Sequence, residues 1–169
     1  MSQPERESEL TEPTRSDLPI RRARPDEAAL LSALAFRAKA HWGYDDAFLA
    51  ACRDDLTLSP HDIASAAVFL HEGDGAPAGF YRLLVRADGV AELDDLFVEP
   101  AAIGSGVGRR LWQHATEHAR AHGCTAIVLQ SDPHAVGFYE AMGAHRTGDS
   151  PSTVTPGRML PLMHFPLLP

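Results

Sequence analysis

The sequence predicts an α/β fold of the α+β type, in which about four helices flank a mixed, largely antiparallel sheet of about six to seven strands. Two observations support this fold class. Three consecutive apolar runs are separated by the turn signals Gly73-Asp-Gly75 and Asp88-Gly89, so they form an antiparallel meander of hairpins. The third run is followed by a helix-length segment and another short apolar run, an arrangement that makes a right-handed parallel connection. The sheet is therefore expected to be antiparallel first and parallel in its middle.

Composition and charge narrow the class of protein. The 169 residues suit one domain, residues 18–169, which follows a polar segment, residues 1–17, that we expect to be a disordered tail. A net charge of -8 argues against binding to nucleic acid or to an anionic membrane. No apolar run is long enough to cross a bilayer and no signal peptide is seen, which predicts a cytoplasmic protein. Cys52 and Cys124 are expected to be buried thiols, and neither they nor the histidines have metal-ligand spacing, so no metal is expected.

The first half of the domain predicts a short strand and three helices. The strand covers residues 18–23, and Pro25 starts a first helix that ends near Lys39. Its buried face is expected to carry apolar residues at helical spacing: Leu31, Leu34, Ala35 and Ala38. Asp45 caps a second helix, and a third begins at Ser59-Pro60. The apolar stripe of the second helix is predicted to be Phe48, Ala51 and Cys52.

The second half predicts strands at residues 67–70, 78–86 and 91–98, and then a helix that ends near Gly123. This helix buries residues at steps of four: Val107, Leu111, Ala115 and Ala119. A strand at residues 126–130 and a helix from Pro133 come next. The last two strands lie around His145 and at residues 159–168, and the latter pairs either within the sheet or across a homodimer, so both a monomer and a homodimer stay open.

Three glycines at alternate positions, Gly104, Gly106 and Gly108, join the strand that stops at Pro100 to the following helix. Glycine lets the backbone approach a ligand closely, and the first amides of a helix together with its dipole favour an anion. Alone, these glycines indicate a tight turn as readily as a phosphate site. They do not form a dinucleotide-binding pattern, because Arg109 stands where a third glycine is needed.

In context, the chain resembles the GNAT superfamily of acetyl-CoA-dependent N-acetyltransferases over residues 18–168. The first motif is the strand Leu93-x-x-Leu96-x-Val98-x-Pro100, followed by the run from Ile103 to Gly108, with Ile103 where Gln or Arg is usual. The second motif is Asp132-x-x-Ala135-x-x-x-Tyr139-x-x-x-Gly143-Ala144, with Asp in place of Asn and Ala in place of Phe. The two motifs keep the order and spacing of the family.

The resemblance implies the GNAT fold and transfer of an acetyl group directly from acetyl-CoA to an amine. It implies that amides of residues 104–109 hold the coenzyme pyrophosphate and that the backbone of Phe97 and Val98 pairs with the pantetheine arm. The full set of implied coenzyme contacts is Phe97, Val98, Ile103, Gly104, Ser105, Gly106, Val107, Gly108, Arg109 and Asp132.

Two residues match catalytic positions of the family. Tyr139 matches the usual proton donor to the departing thiolate, and Glu92 matches a glutamate that serves as the base in several members, directly or through water. Asp94 and Asp95 are weaker candidates for the base and candidates for binding a cationic acceptor. Simple alternation puts Glu92 and Asp94 on one face and Asp95 on the other, whereas a bulge would reverse this. The alternative to a catalytic role is structural. Tyr139 would then be a core tyrosine, and the three carboxylates would form a solvated strand edge.

The acceptor site is expected between the first two helices, where His41, Trp42 and Tyr44 suit a small organic amine or else only cover the core. Arg158, in a late loop, binds a carboxylate of the acceptor or is a solvated charge. The predicted function is acetylation of a small-molecule amine, with a protein lysine or N-terminus as another acceptor. The alternative is a non-catalytic acyl-CoA sensor or interaction module of the same fold.

Overall fold

The computed structural model of the protein describes residues 19–168; the tail predicted at residues 1–17 lies outside the described residues. Seven strands form one sheet in the order β1-β2-β3-β4-β5-β7-β6. Their bounds are Ile20–Arg22 (β1), Ala67–His71 (β2), Gly79–Val85 (β3), Val90–Val98 (β4), Ala126–Gln130 (β5), His145–Pro151 (β6) and Met159–Pro166 (β7). The mixed sheet predicted from the sequence is confirmed, and the C-terminal run pairs within it as β7.

In the described residues five helices pack on this sheet, one for each helical segment predicted along the chain, although the fold class was expected to have about four. Their bounds are Ala28–Ala40 (α1), Asp46–Cys52 (α2), Pro60–Ser65 (α3), Val107–Ala121 (α4) and Val136–Ala141 (α5). Local signals explain where the short helices begin: the Asp45 carboxylate accepts from the Phe48 amide at 2.8 Å, and Ser59 caps α3 through the amide of Asp62. The stripe predicted for α2 was wrong at one position, because Leu49 and Cys52 are buried whereas Ala51 is exposed.

The helices divide between the two faces of the sheet and make two cores. On one face α4 and α5 pack around Leu83, Leu93 and Ile127. On the other face α1, α2 and α3 pack around Val68 and Phe80. The apolar residues predicted for α1 and α4 are all buried, and the cysteines are free and buried as predicted.

The middle of the sheet is where its pairing changes. Strands β1 to β4 are antiparallel neighbours, and β5, β7 and β6 form a second antiparallel group. The two groups meet in the parallel pair β4–β5, whose register covers only Val90↔Ala126, Ala91↔Ile127 and Glu92↔Val128. Beyond Glu92 the two strands part, so a cleft opens inside the sheet along the second half of β4.

Candidate active site

A cavity of about 940 Å³ occupies this cleft. Its lining includes the second half of β4, the glycine turn before α4, helix α5 with Tyr139 and the β6–β7 loop with Arg158, together with residues of α1, of the segment between α2 and α3, and of β3. It therefore collects the two predicted motifs and the late loop, which are separated in the sequence, at the point where β4 and β5 diverge.

The glycine turn leaves the start of α4 open to the cavity. Gly104 and Gly106 have φ values of +80° and +90°, in the left-handed region that glycine adopts without strain. No side chain caps α4, and its first backbone bond runs from the Arg110 amide to the Gly106 carbonyl at 3.1 Å. Within residues 19–168 the amides of residues 107–109 therefore have no acceptor, which fits a diphosphate placed at this helix end.

The other residues of this turn that were predicted to bind the coenzyme differ in their contacts and exposure. A Cβ on Gly108 would lie 3.3 Å from the Phe138 ring, so glycine lets α4 approach α5 closely. Ile103 is 48% exposed and lines the cavity, as does Arg109. The Ser105 hydroxyl donates to the Ala102 carbonyl. Val107 is buried in the α4 core.

The second half of β4 offers a strand edge to the cavity. Phe97 and Val98 pair with Phe80 and Gly79 of β3, and no register pair with β5 reaches them in the described part of the chain. Their side chains pack into opposite cores, Phe97 on the α1 side and Val98 on the α4 side. The backbone that faces the cleft is thus available for strand-like pairing with an extended ligand.

A β-bulge at Asp94 decides where the three carboxylates of β4 lie. Leu83 pairs with Leu93 but Arg82 pairs with Asp95, so Asp94 is the extra residue. The side chains of β4 therefore do not alternate strictly between the two faces of the sheet past Asp94. Asp95 lies on the same face as Glu92, because their partners on β3, Arg82 and Leu84, are two residues apart.

Arg82 lies among three carboxylates. Its Nε is 2.7 Å from Asp95 Oδ2, although the two atoms are not aligned as a hydrogen bond. Its terminal nitrogens are 3.6 Å from Asp94 and 3.7 Å from Asp62. Burial raises the pKa of Asp95 to about 6 and raises that of Asp94 as well, with Arg82 opposing both shifts. This end of the cavity is thus negatively charged and holds a carboxyl that titrates near neutral pH.

Tyr139 is 6% exposed and lines the same cavity. Its ring is packed edge-on against Trp112 and Phe138, with centroid distances of 5.5 and 5.1 Å. Burial raises the pKa of its hydroxyl well above the ordinary value, and the nearby charges of Asp95 and Asp132 act in the same direction. Tyr139 therefore stays protonated and can donate a proton.

A second polar network surrounds Asp132. Its carboxylate accepts from Lys39 Nζ at 2.5 Å, from the Tyr44 hydroxyl at 2.9 Å and from the His134 amide at 2.9 Å. Burial acts to raise the pKa of Asp132, but the hydrogen bonds from Lys39 and His134 outweigh it and lower the pKa. Arg158 completes the network by donating to the Tyr44 hydroxyl at 2.9 Å.

Aromatic rings surround this network. Trp42 stacks parallel to His134 at 5.1 Å, and His41 meets the Trp42 ring at its edge. Of the residues predicted for the acceptor, four line the cavity: Trp42, Asp94, Asp95 and Arg158. His41 lies outside its lining, and Tyr44 acts through Asp132 and Arg158.

Sequence reasoning missed Lys39 and Arg82 as site residues. Lys39 is separated by 93 residues from the carboxylate that it binds. Arg82 is an ordinary strand position until the bulge brings Asp95 opposite it. No local pattern marks either residue.

Within residues 19–168 no cluster of three or more His, Cys, Asp or Glu residues could hold a metal ion. No helix of that part of the chain is long and apolar enough to cross a membrane.

Comparison with known proteins points to one family. The chain is 31% identical over 90 residues to glucosamine 6-phosphate N-acetyltransferase 1 of Oryza sativa subsp. japonica, a match covering 53% of each chain. It is 34% identical over 132 residues to a peptidyl-lysine N-acetyltransferase of Escherichia coli, covering 78% of this chain and 84% of that one. It thus spans about half the length of the rice relative.

Solved structures of other proteins share the fold. The crystal structure of PaiA N-acetyltransferase from Thermoplasma acidophilum in complex with coenzyme A superposes with a TM-score of 0.73 at 16% identity, over 88% of this chain and 98% of that one. The sequence model of the acetyltransferase (GNAT) family matches residues 37–144, from within α1 to the end of α5 and just beyond. With that match covering well over half of its length, the chain belongs to the acetyltransferase (GNAT) family.

Proposed function

We propose that the protein is an N-acetyltransferase that moves an acetyl group from acetyl-CoA to a primary amine. One observation carries this proposal: where β4 and β5 part, a single cavity contains an unpaired strand edge, an uncapped helix start and a buried tyrosine. A site that only binds acyl-CoA has no use for a proton donor beside two carboxyls of raised pKa.

The residues of the cleft fit acetyl-CoA, which supplies the activated thioester. The free amides of residues 107–109, with the exposed Arg109 beside them, would hold the diphosphate. The backbone of Phe97 and Val98 would pair with the amides of the pantetheine arm. The exposed Ile103 side chain adds no donor, so at this turn the backbone has the larger share of the binding.

The transfer forms a C–N bond and breaks the C–S bond of the thioester. An amine attacks only when neutral, so the ammonium first loses a proton to a carboxylate, directly or through water. Glu92 is the base implied by the family, and Asp95 becomes a second candidate because it is buried in the cavity and titrates near pH 6. Tyr139 then gives its proton to the departing sulfur, and the second proton that the nitrogen loses as the amide forms restores the tyrosine hydroxyl.

A loop that crosses one side of the cavity favours a small-molecule acceptor. The Thr153 hydroxyl donates to Asp55 at 3.3 Å, so the β6–β7 loop contacts the segment between α2 and α3 over the acceptor side. Related enzymes act on glucosamine 6-phosphate and on peptidyl lysine, so a protein lysine is the second acceptor to test.

The proposal is tested by incubating the protein with acetyl-CoA and a panel of amines that includes a lysine peptide. Thiol release that depends on the amine and equals the acetylated product is the expected result. Tight coenzyme binding without thiol release for any acceptor would favour the non-catalytic sensor instead.

Replacing Tyr139 by Phe should lower kcat tenfold or more and leave the KM for acetyl-CoA nearly unchanged, because only the proton donor is lost. Tyr81→Phe is the matched control. It removes a hydroxyl that contacts His114 Nδ1 at 2.8 Å on a residue outside the cavity lining. An unchanged rate in Tyr139→Phe would exclude this tyrosine from the mechanism.

A further inference from the structure

Two groups of charged residues stand out in the wall of the cavity. Glu92, Asp94 and Asp95 lie on β4, and Arg82 pairs with Asp94 and Asp95, so this group of four charges is negative overall. Lys39, Asp132 and Arg158 form the other group, which carries one more positive charge than negative; the exposed carboxylate of Asp55 also lines this part of the cavity but makes no ion pair with Arg158 in residues 19–168. Tyr139 is in electrostatic range of both, since Asp95 and Asp132 each raise its pKa.

In the second group Lys39 is neutralised and Arg158 is not. Lys39 and Asp132 are paired at 2.5 Å with 15% of each side chain exposed. Arg158 has no carboxylate within ion-pair distance in residues 19–168, and its hydrogen-bond acceptor is the Tyr44 hydroxyl. That hydroxyl is uncharged, because burial raises its pKa to about 12.

Aromatic rings hold the Arg158 guanidinium in place. It lies 4.6 Å from the centroid of Phe48 and 5.3 Å from that of Tyr44. Such stacking covers one face of the group and leaves its remaining N–H donors at the edge. Arg158 is half-buried in the cavity wall, so its charge is fixed in position and partly removed from water.

Asp132 explains how a cation is retained there without a counter-ion. This aspartate replaces the asparagine expected from the family motif, and its carboxylate both cancels the charge of Lys39 and accepts from Tyr44. The Tyr44 hydroxyl is thereby oriented with its oxygen free to accept from Arg158. The network therefore positions Arg158 without pairing its charge.

We propose that Arg158 binds an anionic group, a carboxylate or a phosphate, on the acceptor, and that the acceptor is an amine that also carries an acidic group. Guanidinium binds both anions through paired hydrogen bonds. The ammonium of the acceptor is attracted to Glu92, Asp94 and Asp95. The acceptor would thus lie with its ammonium beside this negative group and its acidic group beside Arg158. This inference rests on the proposed N-acetyltransferase function.

The test compares acceptors that differ in the acidic group alone. D-Glucosamine 6-phosphate is paired with D-glucosamine, and 4-aminobutanoate with 4-aminobutanamide. We expect the anionic member of at least one pair to have a kcat/KM at least tenfold higher, and the pair that shows it tells phosphate from carboxylate. Arg158→Gln should raise the KM for that member tenfold or more, while its effect on the neutral member stays within about threefold.

Two further variants separate recognition from folding. Arg158→Lys keeps the charge without the paired geometry, so it should recover part of the preference. Arg146→Gln is the matched control, because Arg146 is an exposed arginine of β6 that pairs with Asp149 outside the cavity lining; it should change neither KM. Equal use of both members of each pair, or equal losses for both in Arg158→Gln, would overturn the inference and leave the acetyltransferase function standing. Absence of thiol release with any amine would refute the function itself.

Discussion

Asp95 is the carboxyl whose surroundings differ most from water. Its residue is 7% exposed, and its one close cation, Arg82, is shared with Asp94 and Asp62. Burying such a group costs free energy that one shared ion pair does not fully offset. Because its pKa is raised to about 6, ionisation of Asp95 lowers the free energy of unfolding as the pH rises from about 4 to 6. Buried carboxyls with strongly shifted pKa values, which lower the stability of the fold, are common at functional sites.

The ionisation of Asp95 gives a pH prediction for activity. Above pH 6 the carboxyl is charged and can attract the ammonium or accept its proton, whereas below pH 6 it is neutral. We expect kcat/KM for the acceptor to fall on the acidic side of about pH 6, and we expect Asp95→Asn to lower kcat/KM and to remove this limb. Glu92→Gln, measured over the same range, is the comparison. A limb that persists in Asp95→Asn would contradict this prediction.

At the scale of elements, Glu27 joins β1 to the turn that starts α1. Its carboxylate accepts from Arg21 Nη2 at 2.6 Å and Nη1 at 3.0 Å, and from the Arg24 amide at 2.8 Å. The hydrogen bonds from Arg21 lower the pKa of Glu27 to about 2 although burial opposes the shift. The edge strand, only three residues long, is thus anchored by a partly buried ion pair.

Replacing Glu27 by Gln should lower the free energy of unfolding at pH 7 by about 1–3 kcal/mol, because Arg21 loses one of its two charged partners and keeps only Glu72. A carboxyl with a lowered pKa stabilises the fold above its unfolded pKa and loses that effect as the pH falls. The difference between variant and wild type should therefore shrink from about pH 4.5 to pH 2. Urea unfolding at pH 7 and pH 3 measures it. Asp26→Asn, an exposed partner of Arg24, should change stability by less than about 0.5 kcal/mol at either pH.

The elements were predictable from local signals, whereas much of the site was not. Caps such as Asp45 and Ser59 and the apolar spacing of α1 and α4 act within a few residues, and those elements lie where they were predicted. The Asp94 bulge depends on how both faces of β4 pack. The pairing of Lys39 with Asp132 joins distant segments. The motif residues gather in one cavity as expected, but their roles in binding and catalysis stay predictions.

For the whole molecule, a ligand in the central cleft should add to the stability of the fold. Coenzyme A at one hundred times its Kd adds about 2.7 kcal/mol to the free energy of unfolding, which for a chain of this size raises Tm by about 5–10 °C. Adenosine, which lacks the diphosphate, should raise Tm much less. Gly106→Ala, at a φ of +90°, should lower Tm and also reduce the shift with coenzyme A. Equal shifts with coenzyme A and adenosine would contradict the diphosphate site.

The short ladder between β4 and β5 has a mechanical consequence. Three register pairs, from Val90 to Glu92, join the two antiparallel groups of strands, each of which keeps its own hydrogen bonds. A small rotation about this ladder widens or narrows the far end of the cleft without breaking a pair within either group. An extended ligand that pairs with β4 in the gap bridges the two groups beyond the ladder and restrains that rotation. The coenzyme arm would then act as part of the sheet, and the rigidity of the central sheet would depend on whether it is bound.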